Sequence, residues 1–251
     1  MPAEPIRVAM WSGPRNISSA MMRSFGARPD TAVIDEPFYA AYLAVSGSAH
    51  PMRAEVLASQ ANDWREVVTR LLGPVPGGRA IWYQKHMTHH MLASIGRNWT
   101  HGVRNAFLIR DPQAVLNSYA RIRERGEPTL ADIGIVQQRE LFEREADRLG
   151  TAPPVIDGAD VLANPPRMLA RLCAELDIPY TDAMLRWPSG RRDTDGVWAP
   201  AWYQSVERST GFMPPSSPDA AVLPDRLRRI ADEAHTHYAA LAAHRLAPDA
   251  V

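Results

Sequence analysis

Ile6-Arg7-Val8-Ala9-Met10-Trp11-Ser12-Gly13-Pro14-Arg15-Asn16-Ile17-Ser18-Ser19-Ala20 is the stretch from which the rest of the chain can be read. An apolar run of strand length gives way to small and turn-forming residues, then to a helical pattern through Met21, Met22 and Phe25. Strand, tight loop and helix is an arrangement that presents an anion to a helix N-terminus. Unpaired backbone N–H groups and the helix dipole both favour negative charge there. Arg15 adds a cation that stays charged at any physiological pH, with a fork that fits oxyanions. Ser18 and Ser19 add hydroxyl donors. The stretch Gly13 to Ser19 therefore reads as a phosphate-binding loop. It is not a Walker A loop, which needs Gly, four residues, Gly, Lys and then Ser or Thr. A plain strand-to-helix turn with serine at the N-cap gives a similar local pattern, so the reading needs partners elsewhere in the chain.

The 251 residues fit one large domain or two small ones, and we expect a single domain over 1–251. Hydrophobic residues make up 45% and charged residues 22%, as in ordinary globular proteins. Lys+Arg and Asp+Glu balance at 28 each, so the overall charge favours neither nucleic acid nor an anionic membrane as partner. Lys85 is the only lysine. Cys173 is the only cysteine and lies in an amphipathic pattern, which makes it a core residue and suits a reducing compartment. No apolar run is long enough to span a bilayer and no signal-peptide pattern is present, so the expectation is a cytoplasmic protein without membrane partners. A homodimer is compatible with the sequence.

Further strands read at 31–36, 80–86, 105–110 and 154–157. The runs at 80–86 and 105–110 are nearly continuous apolar stretches, the mark of a buried parallel sheet. Helical periods cover 38–43, 63–72, 112–119, 132–149, 165–176 and 225–246. Residues 44–62 read as a surface excursion, and 187–220 show no clear period. Strands alternating with helices imply an α/β fold of three layers, with a mainly parallel sheet flanked by helices. Ligands in such sheets sit at the carboxyl ends of the strands. Gly13 to Ser19, Glu36, Lys85 with His86, and Arg110 all fall there.

Two more clusters carry candidate chemistry. Arg110 ends a strand, and Ser118 lies eight residues on within the next helix, so the two can grip one phosphate from two sides. Arg191-Arg192-Asp193-Thr194-Asp195-Gly196-Val197-Trp198 places adjacent arginines before Gly and Trp, a loop that can close over a nucleotide.

Together the three clusters resemble the sulfotransferases that use 3′-phosphoadenosine 5′-phosphosulfate. Arg15-Asn16-Ile17-Ser18-Ser19 is similar to the family's loop for the 5′-phosphosulfate, with Ile17 where Gly is usual. Arg110 and Ser118 match its 3′-phosphate pair at the same spacing, and Arg191, Arg192, Gly196 and Trp198 match its late motif, with Asp193 replacing a Gly. Ala20 stands where many members have an aromatic that stacks on adenine. The resemblance implies a P-loop-type fold and the transfer of a sulfuryl group to a hydroxyl or amine of a small-molecule acceptor. It implies donor contacts from Gly13, Pro14, Arg15, Asn16, Ile17, Ser18, Ser19, Arg110, Ser118, Arg191, Arg192 and Trp198, and no metal. Ile17 bears on the path of the loop, where Asn16 can take a left-handed conformation. Gln84-Lys85-His86-Met87 falls where the family often has Lys-x-His-Leu, so His86 is the candidate base; Glu36 is its rival, and Arg15 would stabilise the leaving phosphate. His86, His89 and His90 lack a companion Cys or carboxylate at tight spacing, which argues against a metal site. Aromatics at Phe38, Tyr39, Tyr42, Trp198, Trp202, Tyr203 and Phe212 read either as acceptor walls or as core. A nucleotide-dependent phosphotransferase on a P-loop scaffold, and a non-catalytic, nucleotide-binding sulfotransferase-like module, are the alternative functions.

Overall fold

The apolar run near the N-terminus is the central strand of a five-stranded parallel sheet. The computed structural model describes residues 4–120, 128–213 and 223–247, so the irregular stretch expected over 187–220 lies outside the described residues from 214 on. Strands β1 (Ile6–Ser12), β2 (Thr31–Asp35), β3 (Ile81–Met87), β4 (Arg104–Ile109) and β5 (Val155–Asp157) pair in the order β2-β3-β1-β4-β5. The helices are α1 (Ser18–Gly26), α2 (Tyr39–Ser46), α3 (Arg53–Ser59), α4 (Trp64–Leu72), α5 (Pro112–Ala120) and α6 (Leu130–Ile133). After them come α7 (Ile135–Leu149), α8 (Gly158–Ala163), α9 (Pro165–Glu175), α10 (Ala199–Trp202), α11 (Gln204–Arg208) and α12 (Asp225–Ala242). None of the described helices is long and apolar enough to cross a membrane.

Successive strand residues point to opposite faces, so each buried strand feeds two cores. Val8, Met10, Tyr83 and Leu108 pack against Phe25 of α1 and Leu172 of α9. Ala9, Trp11, Trp82 and Phe107 pack against Leu71 of α4, Leu141 of α7 and Leu241 of α12. Burial on both faces explains the near-continuous apolar runs.

The structure corrects three expectations. The 44–62 excursion contains α3, which buries Val56. The charged helix expected over 132–149 is two helices, parted at Gly134 with φ 66°. A Cβ on Gly134 would stand 2.6 Å from Thr88 Oγ1 and 2.8 Å from His89 N, so the break brings the chain directly against the end of β3. Thr88 Oγ1 donates to Gly134 O at 2.8 Å, which closes that contact. Residues 187–213, aperiodic in sequence, include α10 and α11.

One buried ion pair fastens the late loop to α1. Arg23 Nη2 donates to Asp195 Oδ2 at 2.6 Å, with side-chain exposures of 2% and 0%. Removing one partner strands a buried charge. Asp195→Ala should therefore lower the unfolding free energy by about 3–5 kcal/mol, read by urea titration. A loss under about 1 kcal/mol would mean that the pair holds nothing in place.

Candidate functional site

The loop after β1 is wound more tightly than serine capping would make it. Arg15 itself, not Asn16, takes the left-handed backbone, with φ 58°. Asn16 instead anchors the turn: its Nδ2 donates to Leu108 O at 3.2 Å, and its Oδ1 accepts from Ile17 N at 2.8 Å. α1 then starts at Ser18 with Ile17 as N-cap and no side-chain cap. The first turn of α1 thus keeps uncapped N–H groups, and Ile17, Ser18, Ser19 and Ala20 line a cavity. Gly13 lies beneath the loop, where a Cβ would come 2.5 Å from Ile133 O. It lines a small crevice beside the main cavity, not the cavity itself.

The second cluster meets the first at this rim. Asp111 Oδ1 accepts from Ala114 N at 2.9 Å and starts α5, which carries Ser118 back toward the loop. Arg15 Nε donates to Ser118 Oγ at 2.9 Å, and Arg110 Nη1 donates to Arg15 O at 2.5 Å. Pro14, Arg15, Asn16, Arg110 and Ser118 all face one cavity of about 1180 Å³. Typical single-ligand pockets hold about 300–1,000 Å³, so this one lies above the usual range.

Elsewhere on the same cavity a lysine is held by two carboxylates and a phenol. Lys85 Nζ donates to Asp35 Oδ1 at 2.9 Å, Glu36 Oε1 at 2.5 Å and Tyr203 OH at 2.9 Å. The Tyr203 hydroxyl in turn donates to Asp35 Oδ2 at 2.7 Å. Burial works against the Lys85 charge, but Asp35 and Glu36 outweigh it and push its pKa well up. Burial raises the Glu36 carboxyl; Lys85 opposes this and Asp35 adds to it, leaving its pKa above the ordinary value. Glu36 also sits at φ 38°, an uncommon backbone for a non-glycine residue. Gln60 secures it, donating from Nε2 to Glu36 O at 3.1 Å.

The structure does not bring every sequence candidate to this cavity. Even-numbered residues of β3 face the α4–α7 side, so His86 points away from Lys85. Its ring stacks on Trp11 with centroids 4.5 Å apart, lies near Phe38 and Trp99, and is 1% exposed. Burial, helped by the Lys85 charge, lowers its pKa to about 3. The assignment of His86 as base is thereby corrected: its ring is a neutral core group without access to the cavity.

Arg191, Arg192 and Trp198 do not line the cavity either. Arg192 N donates to Asp195 Oδ2 at 2.8 Å, and its guanidinium reaches Pro188 O at 3.3 Å. Trp198 is 1% exposed and meets Tyr39 edge-on at 5.1 Å. Gly196 N donates to Asp35 Oδ2 at 3.3 Å. This motif is a strap over α1 and the end of β2, not a lid on the cavity.

Sequence reasoning missed Asp35, and it named Tyr203 and His90 without the roles that the structure gives them beside Lys85 and Glu36. The signal for the first was present: Asp35 adjoins Glu36 and is the last residue of a strand. Tyr203 and His90 are placed by loops, for which no period exists. Among the described residues no group of three or more His, Cys, Asp or Glu side chains is arranged to hold a metal ion.

The family model described as "sulfotransferase domain" matches residues 6–244. The chain is 35% identical over 213 residues to "Branched-chain-amino-acid aminotransferase-like protein 1" of Arabidopsis thaliana, covering 85% of this chain and 38% of that protein. It is 32% identical over 205 residues to "aminotransferase-like protein 2" of the same plant, covering 82% and 36%. The chain thus spans little more than a third of the length of these curated relatives. Among solved structures it is similar to the sulfotransferase domain of the Synechococcus olefin synthase, with TM-score 0.58, 15% identity, and 94% and 95% of the two chains covered. A sulfotransferase of Alicyclobacillus acidocaldarius gives TM-score 0.52, 16% identity and 98% of each chain. A mouse sulfotransferase complexed with PAP gives TM-score 0.53, 11% identity, and 97% and 91% coverage. At these identities the structures establish a shared fold.

The placement of His86 has a measurable consequence. A histidine whose folded pKa is depressed from 6.5 to about 3 contributes stability above pH 6.5 that is lost as pH falls toward 3. His86→Phe keeps the stack and removes the titration. Its unfolding free energy should fall less steeply below pH 6.5, by up to about 1.4 kcal/mol per pH unit. Identical acid slopes for the variant and the wild type would contradict the buried placement.

Proposed function

This chain belongs to the sulfotransferase-domain family, and on that premise we propose that it transfers a sulfuryl group from 3′-phosphoadenosine 5′-phosphosulfate to a hydroxyl or amine of a small-molecule acceptor. The observation that carries the proposal is the hydrogen bond from Arg15 to Ser118 at 2.9 Å, with Arg110 closed on the same loop. Residues 103 apart in the chain come together on one cavity wall, at the carboxyl ends of β1 and β4.

In this reading the 5′-phosphosulfate of the donor lies on the uncapped first turn of α1, with the Ser18 and Ser19 hydroxyls and Arg15. Arg110 and Ser118 take the 3′-phosphate, and a donor lacking that phosphate forgoes both contacts. The acceptor occupies the end walled by Glu36 and Tyr39. Its oxygen or nitrogen attacks sulfur in line, and the bond from sulfur to the bridging oxygen breaks. Negative charge grows on the 5′-phosphate, where Arg15 and the loop N–H groups are already aimed, so little reorganisation is needed. The proton leaving the acceptor goes to Glu36.

Glu36 suits this task because its environment pulls in two directions. Burial makes the carboxylate a stronger base than in water, while Lys85 keeps it ionised at neutral pH. Asp35 and Tyr203 hold the lysine, so Glu36 is presented on a fixed mount.

Glu36→Gln should reduce sulfuryl transfer by about 10²–10⁴-fold, the usual contribution of a general base. Affinity for adenosine 3′,5′-bisphosphate should stay within about twofold, because Glu36 is not among the groups assigned to the phosphates. The working form is the carboxylate, so the wild-type rate should rise with pH through a limb above the ordinary glutamate value of 4.5. The residual rate of the variant should lack that limb. Full turnover by the variant, or an unchanged limb, would remove Glu36 from the mechanism.

A further inference from the structure

Two neighbouring residues at the end of β2 reach the same lysine, which a regular strand does not allow. Successive strand side chains point to opposite faces. Yet Asp35 Oδ1 and Glu36 Oε1 accept from Lys85 Nζ at 2.9 Å and 2.5 Å. The left-handed backbone of Glu36, at φ 38°, turns its carboxylate to the side of Asp35. Pro37 makes this conformation harder to hold, because a residue before proline is ordinarily extended. Such backbone persists only where its surroundings fix it.

Hydrogen bonds on both sides fix Glu36. Its N–H donates to Lys85 O at 2.9 Å, and its carbonyl accepts from Tyr39 N at 3.0 Å across the turn that leads into α2. A further bond comes from outside that turn. Gln60, just after α3, donates from Nε2 to Glu36 O at 3.1 Å. The same amide accepts at Oε1 from Ala40 N, also at 3.1 Å. Phe38, the N-cap of α2, makes no side-chain cap, so Gln60 meets an N–H that the helix leaves open. A carboxamide carries the donor and the acceptor that these two bonds need, and only one orientation of it satisfies both.

We propose that Gln60 is the positioning residue of the base: by holding the Glu36 carbonyl it keeps that residue in its left-handed turn, and so keeps the carboxylate on Lys85 and in the cavity. The inference rests on the reading of Glu36 as the base and adds the residue that aims it. Without the amide, Glu36 relaxes to the extended backbone that Pro37 favours. Its side chain then leaves the face of Asp35, and the acceptor's proton has no carboxylate to go to. Lys85 keeps Asp35 and Tyr203, so the rest of the cluster stands. None of the groups assigned to the phosphates is touched.

Two variants separate this role from simple capping of α2. Gln60→Met removes both bonds. Gln60→Glu removes only the donor, since the introduced carboxylate still accepts from Ala40 N. Crystals of either full chain should show Glu36 at negative φ with its carboxylate off Lys85. With labelled 3′-phosphoadenosine 5′-phosphosulfate and water as the nucleophile, kcat for sulfate release should fall by about tenfold to a hundredfold in both, while the KM for the donor holds. In a Glu36→Gln background either substitution should change the residual rate by less than about twofold, because the group it aims is already gone. Both variants should bind adenosine 3′,5′-bisphosphate as the wild type does, which reports an intact fold. Glu36 unmoved in the variants, full sulfate release by Gln60→Glu, or equal fractional losses in the two backgrounds would leave Gln60 a helix cap and overturn the inference. Loss of bisphosphate binding by both variants would overturn it too, since Gln60 would then support the fold at large. Full sulfate release by Glu36→Gln alone overturns the reading of Glu36 as base, and failure of the wild type to bind the bisphosphate overturns the sulfotransfer reading, so the failures are told apart.

Discussion

Parallel pairing with a fixed register is the constraint from which the site follows. Ser12 at the end of β1 stands opposite Met87 of β3 and Leu108 of β4, and Asp35 of β2 stands opposite Lys85. The segments that leave these strands therefore emerge at one edge of the sheet. Arg15, Glu36 and Arg110 lie just beyond those strand ends, and Lys85 lies just inside one of them. Slipping β3 by a single residue would send Lys85 into the α4–α7 core and bring His86 out. Both cores argue against such a slip, because Trp82 and Tyr83 would exchange faces as well.

The Lys85 cluster shows how buried charge can be tolerated at such an edge. A lone ammonium in this position would lose several kcal/mol of hydration with nothing in return. Two adjacent carboxylates and a phenol replace the water, and the only lysine in the chain is spent on them. The arrangement also orders the surroundings. Asp35 receives Gly196 N from the late loop, and Asp195 of that loop receives Arg23 from α1. Residues that resemble a nucleotide lid in sequence thus brace the mount of Glu36 from behind. Strain points to the same places: Arg15 and Glu36 are two of the four described non-glycine residues with positive φ. Uncommon backbone persists where the surroundings fix it, and functional sites are where it collects.

Much of this was legible in the chain, and what was not has a physical cause. The alternation of apolar strands with helical periods led to the α/β layers, and the spacing from Arg110 to Ser118 matches a strand end and a helix face that line one cavity. The short motif around His86 does not express strand parity: Lys85 and His86 are neighbours on a strand and cannot face one side. Gly134 breaks a helix for a tertiary reason, its close approach to Thr88 and His89, which no local propensity encodes. His90 needs α2 to fold back over the end of β3 before its ring meets Glu36, and the turn between them carries no period. Asp193 to Trp198 kept its family-like spacing while its contacts are with Arg23 and Asp35.

Arg15, Arg110 and Ser118 converge on one cavity wall, and the proposed donor bears two separate phosphates. Calorimetric titration of the full chain with adenosine 3′,5′-bisphosphate and with AMP tests this most directly. Charge-assisted hydrogen bonds to the 3′-phosphate, at about 1.5–3 kcal/mol each, predict at least about a hundredfold preference for the bisphosphate, reduced to a few-fold in Arg110→Ala. Equal affinity for the two nucleotides in the wild type, or a preference untouched by Arg110→Ala, would contradict it.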